Sequence, residues 1–459
     1  MRIENKNFKA KYNSGKARVV NTAENPIARR ILARNVYVDN NTFFTHINNN
    51  DLLAGASGAG KTRHYIIPNL LHTDENLIIA DTKGNLYALY GDYLRKKGYN
   101  VLCVDFTDID HSPCGYNPLD YVRKNDVPEL INRGDIYNEG DVKKIASAIC
   151  PIQNNDDPFW DLMTQMYLEL FLMYMLKTYP KNKRNLCEVY SMLCIMGTKE
   201  FKEILGEEAA AHPRSAIAKK FRMIMQNEKA EKMHSCIIGI LAQHLDVVSY
   251  SNTERLFTMK NRVDLSAFVN QKTVLFLNVS DNDRSNDMLV NCFYTQAFQY
   301  LINAAAKRPD SRLPIPVRFL LDDFSTNTVI PDFDNLISVI RSREICVSLV
   351  VQSLSQLEAL YGHEKAMTII NNCDHCLYLG GTDVETAQYF AQKLDCQTST
   401  VLNLPLESAF LFERGKRPVK VEKYDLEADE IYNGLKRQCA VPGCNAANSR
   451  LIQSGERSA

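Results

Sequence analysis

Residues 55–62 have the sequence Gly-Ala-Ser-Gly-Ala-Gly-Lys-Thr, which matches the pattern G-x-x-x-x-G-K-[ST] at every fixed position. The pattern is typical of a phosphate-binding loop, because its glycines let backbone N–H groups turn inward and the next helix points its positive end at the anion. In such a loop the lysine contacts the β- and γ-phosphates and the final hydroxyl binds Mg²⁺. The predicted nucleotide contacts are Gly55, Ser57, Gly58, Ala59, Gly60, Lys61, Thr62 and Arg63, with Thr62 also a metal ligand. The alternative is a glycine-rich turn with an incidental lysine.

The segments around this loop alternate between short apolar runs and helical patterns. Residues 51–54 predict a strand before the loop, and residues 63–71 a helix after it. Further strands are predicted at residues 76–80, 100–104, 273–278, 317–321, 347–351 and 376–379, and a helix at 87–97. Such alternation predicts an α/β fold with a mainly parallel sheet and helices on its faces.

Strand signals disappear between residues 127 and 250. Helical spacing covers residues 141–148, 160–178, 186–196, 215–226 and 232–245. We therefore predict an all-α domain at 127–250, inserted into a nucleotide-binding domain formed by 46–126 and 251–400. A polar N-terminal segment (1–45) and a C-terminal extension (401–459) flank them, and the last forty residues are expected to be loop-like.

The overall composition sets limits on the partners. The chain has 459 residues, 45% of them hydrophobic, which is enough for two or three domains with ordinary cores. Its formal net charge is zero, so a surface for nucleic acid or membrane must be local. A basic group in the helical region could be a phosphate track or a solvated helix face: Lys181, Lys183, Arg184, Lys219, Lys220 and Arg222.

Cysteine usage and hydropathy favour a reducing compartment. The 13 cysteines are scattered and no secretory signal is present, which is typical of buried free thiols in the cytoplasm. The spacing Cys373-x-x-Cys376 suits a metal, but a buried strand is the favoured interpretation. The most apolar window, 162–176, contains Gln165 and Glu169 and is expected to be a buried helix.

Two acidic residues follow the predicted strand at 317–321. In an ATPase with a phosphate loop, the first acid holds Mg²⁺ and the second polarises the attacking water, which predicts these roles for Asp322 and Asp323. Gln352 ends the next strand, where a residue that senses the γ-phosphate is expected. A strand-end cap is the alternative role for Gln352.

Several short motifs occur in one order along residues 50–400. They are Pro68-Asn-Leu-Leu71, Asp81-Thr-Lys-Gly84, Tyr116-Asn-Pro-Leu119, Asp157-Pro-Phe-Trp160, Leu320-Leu-Asp-Asp-Phe324, Gln352-Ser-Leu-Ser-Gln-Leu357 with Tyr361-Gly362, and Asn371-Asn-Cys373 with Leu379-Gly380. Together with the phosphate loop, this series resembles the TraG-like coupling proteins of type IV secretion and conjugation, which are P-loop ATPases.

The resemblance implies a RecA-like motor domain interrupted by an all-α domain. It further implies a hexameric ring, induced by substrate or nucleotide, with ATP and Mg²⁺ bound between neighbours. The implied partners are single-stranded DNA or a relaxase–DNA complex and the components of the secretion channel. In the family an arginine from the adjacent subunit completes the site; Arg341 is preferred here over Arg343, and surface arginines are the alternative interpretation.

The sequence departs from the family pattern at three places. No segment resembles the membrane-spanning helices with which family members usually begin, so we expect either a separate membrane anchor protein or a truncated form. Asp323 stands where glutamate is usual, and a carboxylate misplaced by about 1 Å can cost on the order of 10²-fold in rate. Asn85 and the stretch 325–327 also differ from the pattern. Turnover is therefore expected to be slow.

The leading hypothesis is an ATP-driven coupling protein that delivers a DNA–protein or protein substrate to a type IV secretion channel. We expect it in the cytoplasm, peripheral to the inner face of the membrane. The alternative is a nucleotide-gated adaptor that recruits substrates and hydrolyses almost nothing. A DNA pump of the chromosome-partitioning kind is a third hypothesis, although the chain after residue 400 offers little room for a sequence-reading domain.

Overall fold

A computed structural model of the chain describes residues 29–152, 157–195, 199–227, 231–280, 282–324 and 329–439. The strands of this part are β1 (Arg29–Ala33), β2 (Val36–Asp39), β3 (Asp51–Ala54), β4 (Asn76–Asp81), β5 (Asn100–Asp105), β6 (Thr273–Asn278), β7 (Val317–Leu321), β8 (Ile345–Val351), β9 (His375–Tyr378), β10 (Ser408–Glu413) and β11 (Val419–Glu422). Every strand predicted from the sequence is confirmed.

Nine strands form one sheet in the order β11-β10-β9-β3-β8-β7-β4-β6-β5. All neighbours from β9 to β5 pair in parallel, whereas β10 and β11 are antiparallel additions at one edge. Every residue of β4, β6 and β8 is buried, which explains their continuous apolar runs. The fold class predicted from the alternation is present.

Helices cover both faces of the sheet. Successive residues of β3 enter different apolar clusters, with Leu52 on one face and Leu53 on the other. A π-helical turn at Thr62–Ile66 continues into the helix Ile67–His72. The other helices outside the β5–β6 connection are Thr42–Thr45, Leu86–Lys96, Asp287–Ala306, Phe333–Val339, Leu354–Tyr361, His363–Asn371, Val384–Leu394, Thr398–Leu402 and Glu430–Cys439, with short 3₁₀ turns at Ile340–Arg343 and Leu426–Ala428.

The connection from β5 to β6 contains helices and, within its described residues, no strand. Its α-helices are Pro128–Asn132, Glu139–Ile149, Phe159–Thr178, Leu186–Ile195, Lys199–Ala211, Ala216–Asn227, Glu231–His244, Ser251–Thr258 and Ala267–Asn270, with 3₁₀ turns at Ile109–His111, Pro118–Tyr121, Lys181–Lys183 and Asp246–Ser249. The expected buried helix is the central one, Phe159–Thr178, whose residues 167–176 are all buried. The domain boundaries at 127 and 250 stay a prediction.

Two parts of the chain differ from the sequence expectation. The loop-like interpretation of the last forty residues was wrong for residues 420–439, which contain the end of β11 and the helix Glu430–Cys439. Three of the four residues of β11 are exposed at the sheet edge, and its two valines, Val419 and Val421, form no continuous apolar run. The polar N-terminal segment contains the β1–β2 hairpin, while residues 1–28 lie outside the described ranges.

Within the described ranges, no helix combines the length and apolar character that crossing a bilayer requires. Cys376 lies in β9, as the buried-strand interpretation predicts, and Cys373 lies in the turn before it. Burial raises the pKa of both thiols.

A buried network of charges lies where β3 begins. Arg30 Nε is 2.6 Å from Asp51 Oδ2, and Arg318 Nη1 is 3.4 Å from the same oxygen. Arg318 also pairs with Glu75, at 2.7 Å between Nε and Oε2. Burial would raise the pKa of Asp51, but Arg30 and Arg318 outweigh it and hold that pKa below its usual value. Two buried guanidinium groups are thus balanced by two buried carboxylates.

His375 of β9 borders this network and makes the stability of the fold depend on pH. Its Nδ1 lies 3.2 Å from Arg30 Nη2 and accepts from it, and burial followed by the Arg30 charge lowers the pKa of His375 to about 3. In the unfolded chain the pKa of histidine is about 6.5. Between these values the unfolded chain binds one more proton than the folded chain, so stability present above pH 6.5 is lost as pH falls, by about 1.4 kcal/mol per unit.

We therefore predict a shallower pH dependence for the His375→Gln variant. Between pH 7 and pH 5 the free energy of unfolding of the wild type should fall by about 2 kcal/mol more than that of the variant. Urea unfolding at both pH values, followed by circular dichroism, measures the difference. His363→Gln removes an exposed imidazole and should retain the wild-type slope. Equal slopes in all three proteins would contradict the assignment.

Candidate nucleotide-binding site

The phosphate loop lies at the carboxyl end of the parallel strands, between β3 and the helix that starts at Thr62. Its first two N–H groups are fixed to neighbouring strands. Gly55 N donates to Val351 O of β8 at 3.1 Å, and Ala56 N donates to Gly380 O after β9 at 3.0 Å. The loop is therefore anchored at the edge where open α/β sheets bind their ligands.

Two glycines give the loop its shape. Gly58 and Gly60 have φ values of +77° and +79°, a region that other residues rarely adopt. A Cβ atom on Gly60 would also lie 2.4 Å from the ring of His64. The N–H groups of Gly58 and Gly60 donate to no acceptor in the described part of the chain. They are the donors that an anion in this loop would satisfy.

Lys61 lies folded into the loop and exposes only 8% of its side chain. Its ammonium group donates to Gly55 O at 3.0 Å and to Ala56 O at 3.5 Å, and it lies 3.6 Å from Asp323 Oδ1. The structure thus places the predicted phosphate-binding lysine beside the predicted water-activating acid.

Thr62 and Asp322 are 260 positions apart in the chain and in contact in the fold. The Thr62 hydroxyl donates to Asp322 Oδ2 at 3.0 Å. The fold brings them together because β7, which ends at Leu321, is separated from β3 only by β8. Burial first, and the Asp323 charge second, raise the pKa of Asp322 to about 6.

This pair of oxygens suits Mg²⁺. Magnesium takes one or two protein oxygens and completes its octahedral shell with phosphate oxygens and water. The described residues hold no cluster of three or more His, Cys, Asp or Glu side chains suited to a metal ion, so a closed all-protein cage is not formed here. One hydroxyl and one carboxylate beside a phosphate loop fit a metal that arrives with a nucleotide.

Asp323 and Gln352 complete the cluster at the strand ends. Asp323 has a left-handed φ of +45°, and its N–H donates to Asp322 Oδ1 at 3.0 Å. Gln352 Nε2 lies 3.4 Å from Asp323 Oδ1. The amide of Gln352 therefore contacts the second acid and connects β8 to it. The stretch 325–327, one of the departures from the family pattern, lies outside the described residues.

The structure does not bring the predicted arginines to the loop of the same chain. Arg341 and Arg343 precede β8, whereas the loop lies at its other end. Arg341 Nη2 donates to His46 O at 2.9 Å, and Arg343 Nη1 donates to Val339 O at 2.7 Å. Arg63 follows the loop, but its guanidinium pairs with Glu427 at 2.5 Å.

The Asp81-Thr-Lys-Gly motif has a structural role in this fold. The carboxylate of Asp81 accepts hydrogen bonds from the N–H groups of Lys83, Gly84 and Leu86, at 2.7–3.1 Å. It therefore shapes the turn between β4 and the helix Leu86–Lys96. Burial nevertheless raises its pKa above the usual value.

Three of the six basic residues of the helical region are engaged within it, while Lys181, Lys183 and Lys219 are exposed. Lys220 pairs with Glu169 at 2.5 Å between Nζ and Oε2, Arg184 donates to Tyr179 O at 2.8 Å, and Arg222 donates to Pro213 O at 2.9 Å. These contacts favour the helix-face interpretation over a phosphate track.

Sequence reasoning missed the residues of the C-terminal part that contact the loop. Lys423 donates to Ala59 O at 3.0 Å, and Tyr424 O lies 2.7 Å from Nδ1 of His64. An isolated lysine in a polar tail carries no local pattern, so only the fold reveals these contacts.

The comparisons with known proteins agree with this geometry. The family model described as "Type IV secretory system Conjugative DNA transfer" matches residues 1–403. Two conjugal transfer proteins TraG of Escherichia coli are 22% and 24% identical over 352 and 361 residues, covering 73% and 75% of this chain and 53% and 54% of those proteins. The chain thus spans about half the length of these relatives.

Solved structures share the fold at low sequence identity. The bacterial conjugative coupling protein TrwB with sulphate superposes with a TM-score of 0.62 at 16% identity, covering 82% of this chain and 85% of that one. VirB4 of Thermoanaerobacter pseudethanolicus gives a TM-score of 0.53 at 13% identity, covering 88% and 97%. These similarities support the predicted P-loop α/β fold.

Proposed function

Because this chain belongs to the type IV secretory system conjugative DNA transfer family, we propose that it is an ATP-driven coupling protein. It would deliver a DNA–protein complex or a protein to a type IV secretion channel. The observation that carries the proposal is the 3.0 Å contact between Thr62 and Asp322 beside a complete phosphate loop.

We propose ATP and Mg²⁺ as the cofactors. TrwB has been solved with the ATP analogue ADPNP and with ADP and Mg²⁺, and this chain has the same fold. Bound ATP and Mg²⁺ would supply the transferable γ-phosphoryl group and its charge neutralisation. The N–H groups of Gly58 and Gly60 would bind the phosphates, Lys61 would exchange the loop carbonyls for phosphate oxygens, and Thr62 and Asp322 would hold the metal.

Hydrolysis further requires a group that orients water. Asp323 would accept a proton from the attacking water, and the contact of Gln352 Nε2 with its Oδ1, at 3.4 Å, would help to hold the carboxylate. Arg341 lies at the amino end of β8, whereas the phosphate loop lies at the carboxyl ends of the strands. It could therefore complete a nucleotide site only in a neighbouring copy. This supports the proposal of a hexameric ring in which ATP lies between subunits, with Arg341 acting in trans.

The proposed partners are single-stranded DNA or a relaxase–DNA complex, the secretion channel and a separate membrane anchor protein at the cytoplasmic face of the membrane. Phosphate release is measured with Mg²⁺ and ATP, with and without single-stranded DNA, while light scattering follows the mass of the protein. We expect turnover that depends on Mg²⁺ and rises with DNA, together with assembly. Absence of nucleotide binding would refute the proposal.

The adaptor is the second candidate, and Asp323 is the observation that favours it. An adaptor would bind ATP and Mg²⁺ but show no turnover that depends on Lys61. The same assay therefore distinguishes an enzyme from an adaptor.

We predict that Asp323→Glu increases turnover by about tenfold. The longer side chain moves the carboxylate by about 1 Å and restores the residue that the family pattern uses, and placement of this accuracy changes rates strongly. Steady-state phosphate release gives kcat. Asp310→Glu adds the same methylene at an exposed site and should leave kcat unchanged. A lower kcat for Asp323→Glu would mean that the left-handed backbone at this position already places the shorter acid.

A further inference from the structure

The segment after β11 contacts the phosphate loop. We call residues 423–429 the strap. Lys423 exposes only 7% of its surface, and its ammonium group donates to Ala59 O at 3.0 Å. Glu427, near the end of the strap, pairs with Arg63 at 2.5 Å. The strap therefore contacts the loop and the helix that follows it.

The contact of Lys423 determines the orientation of one peptide group. In a trans peptide the C=O and the next N–H point in opposite directions. Because Lys423 holds the carbonyl of Ala59, the N–H of Gly60 points away from Lys423. This N–H is one of the donors left without an acceptor in the described structure. Rotation of the peptide would instead present a carbonyl oxygen to a phosphate.

Tyr424 supports the same glycine from another direction. Its carbonyl oxygen accepts from Nδ1 of His64 at 2.7 Å, which fixes the imidazole ring. Because a carbonyl oxygen can only accept, Nδ1 of His64 carries the proton in this contact. The ring lies against the α-carbon of Gly60, where a Cβ would be 2.4 Å from it. Lys423 thus fixes the carbonyl of Ala59, and Tyr424 fixes the ring of His64; both groups border Gly60.

We propose that the strap is an integral part of the nucleotide site and that Lys423 is a positioning residue for the Gly60 N–H. The strap lies beyond residue 403, where the family match ends. The inference rests on the proposed nucleotide function but concerns how the loop is held in its anion-binding form. A preorganised donor increases affinity because no rearrangement is needed on binding.

Isothermal titration calorimetry of the full chain tests the proposal with two probes, a non-hydrolysable ATP analogue with Mg²⁺ and inorganic pyrophosphate. We expect Lys423→Met to raise Kd for both about tenfold, since one charge-assisted hydrogen bond orients the donor. Lys423→Arg keeps a cationic donor and should restore most of the affinity. The matched control is Lys420→Met, an exposed lysine of β11 that should behave as the wild type. In turnover assays KM should rise while kcat stays within about twofold, because the N–H contacts phosphate in both ground and transition states.

The outcomes separate the two proposals. If the wild type binds pyrophosphate in a Lys423-dependent way but no ATP analogue, the strap proposal stands and the proposed function fails. Equal Kd values for wild type and Lys423→Met overturn the strap proposal alone, and a wild type that binds neither probe overturns both. Melting temperatures without ligand show whether Lys423→Met is merely unstable. If it does not fold, Lys423→Gln replaces it, with the same expected direction and the same overturning result.

Discussion

Replacing Lys61 with alanine is expected to lower the rate of ATP hydrolysis by about 10²–10³-fold or more. A positively charged donor aimed at the transferred phosphoryl group stabilises charge that develops in the transition state, and loss of one such donor costs about this much in kcat. Lys61 is already at the loop, where burial and two carbonyl oxygens hold its ammonium group, so a bound phosphate only has to replace those oxygens. The substitution also deprives Asp323 of its neighbouring cation.

Phosphate release in the presence of Mg²⁺ and single-stranded DNA measures this effect. Lys96→Ala is the matched control, since it removes an exposed lysine from the helix Leu86–Lys96 and should keep wild-type turnover. Circular dichroism confirms that both variants are folded. Wild-type turnover in Lys61→Ala would show that hydrolysis comes from another site or from a contaminant.

The sequence was sufficient for the sheet because its strands are buried on both faces. Runs such as residues 273–278 are short and mostly apolar and lack the 3.6-residue spacing of an amphipathic helix, and each one is a strand in the structure. The antiparallel strands β10 and β11 were not among the predicted strands. The four central residues of β10 are buried and form a short apolar run, whereas three of the four residues of β11 are exposed and the strand is held by its pairing with β10.

The residues of the candidate site also fall into two groups, those that a sequence motif predicts and those that only the fold brings to the loop. Lys61 and Thr62 belong to a motif whose spacing is imposed by the phosphate, and Asp322 follows a strand that must end at the same edge; chemistry and sheet geometry therefore predict their proximity. Lys423 contacts the loop from 364 positions away through a single side chain. No spacing rule connects such residues. The role of Arg341 cannot be derived from one chain either, because it faces away from the loop of its own copy.

The second large effect is expected for stability. Asp51→Asn should lower the free energy of unfolding by about 3–5 kcal/mol, because it leaves Arg30 and Arg318 buried beside a neutral side chain. The amide has nearly the same shape, so the loss reports the missing charge rather than a cavity. Urea unfolding at pH 7 measures it. The control Asp92→Asn breaks an exposed pair with Arg95 and should unfold near the wild-type midpoint.

A double variant separates the loss of the pair from the isolation of its partner. Removing one member of a buried pair is costly mainly because the other charge remains desolvated, so Asp51→Asn combined with Arg30→Met should recover part of the lost stability. No recovery would mean that Arg318 alone accounts for the cost.

The network also reaches the nucleotide site: Asp51 begins the strand before the loop, and the hydroxyl of Tyr65, on the helix after it, donates to the same carboxylate. Because one buried charge connects both ends of the loop, we expect Asp51→Asn to weaken nucleotide binding even where the chain remains folded.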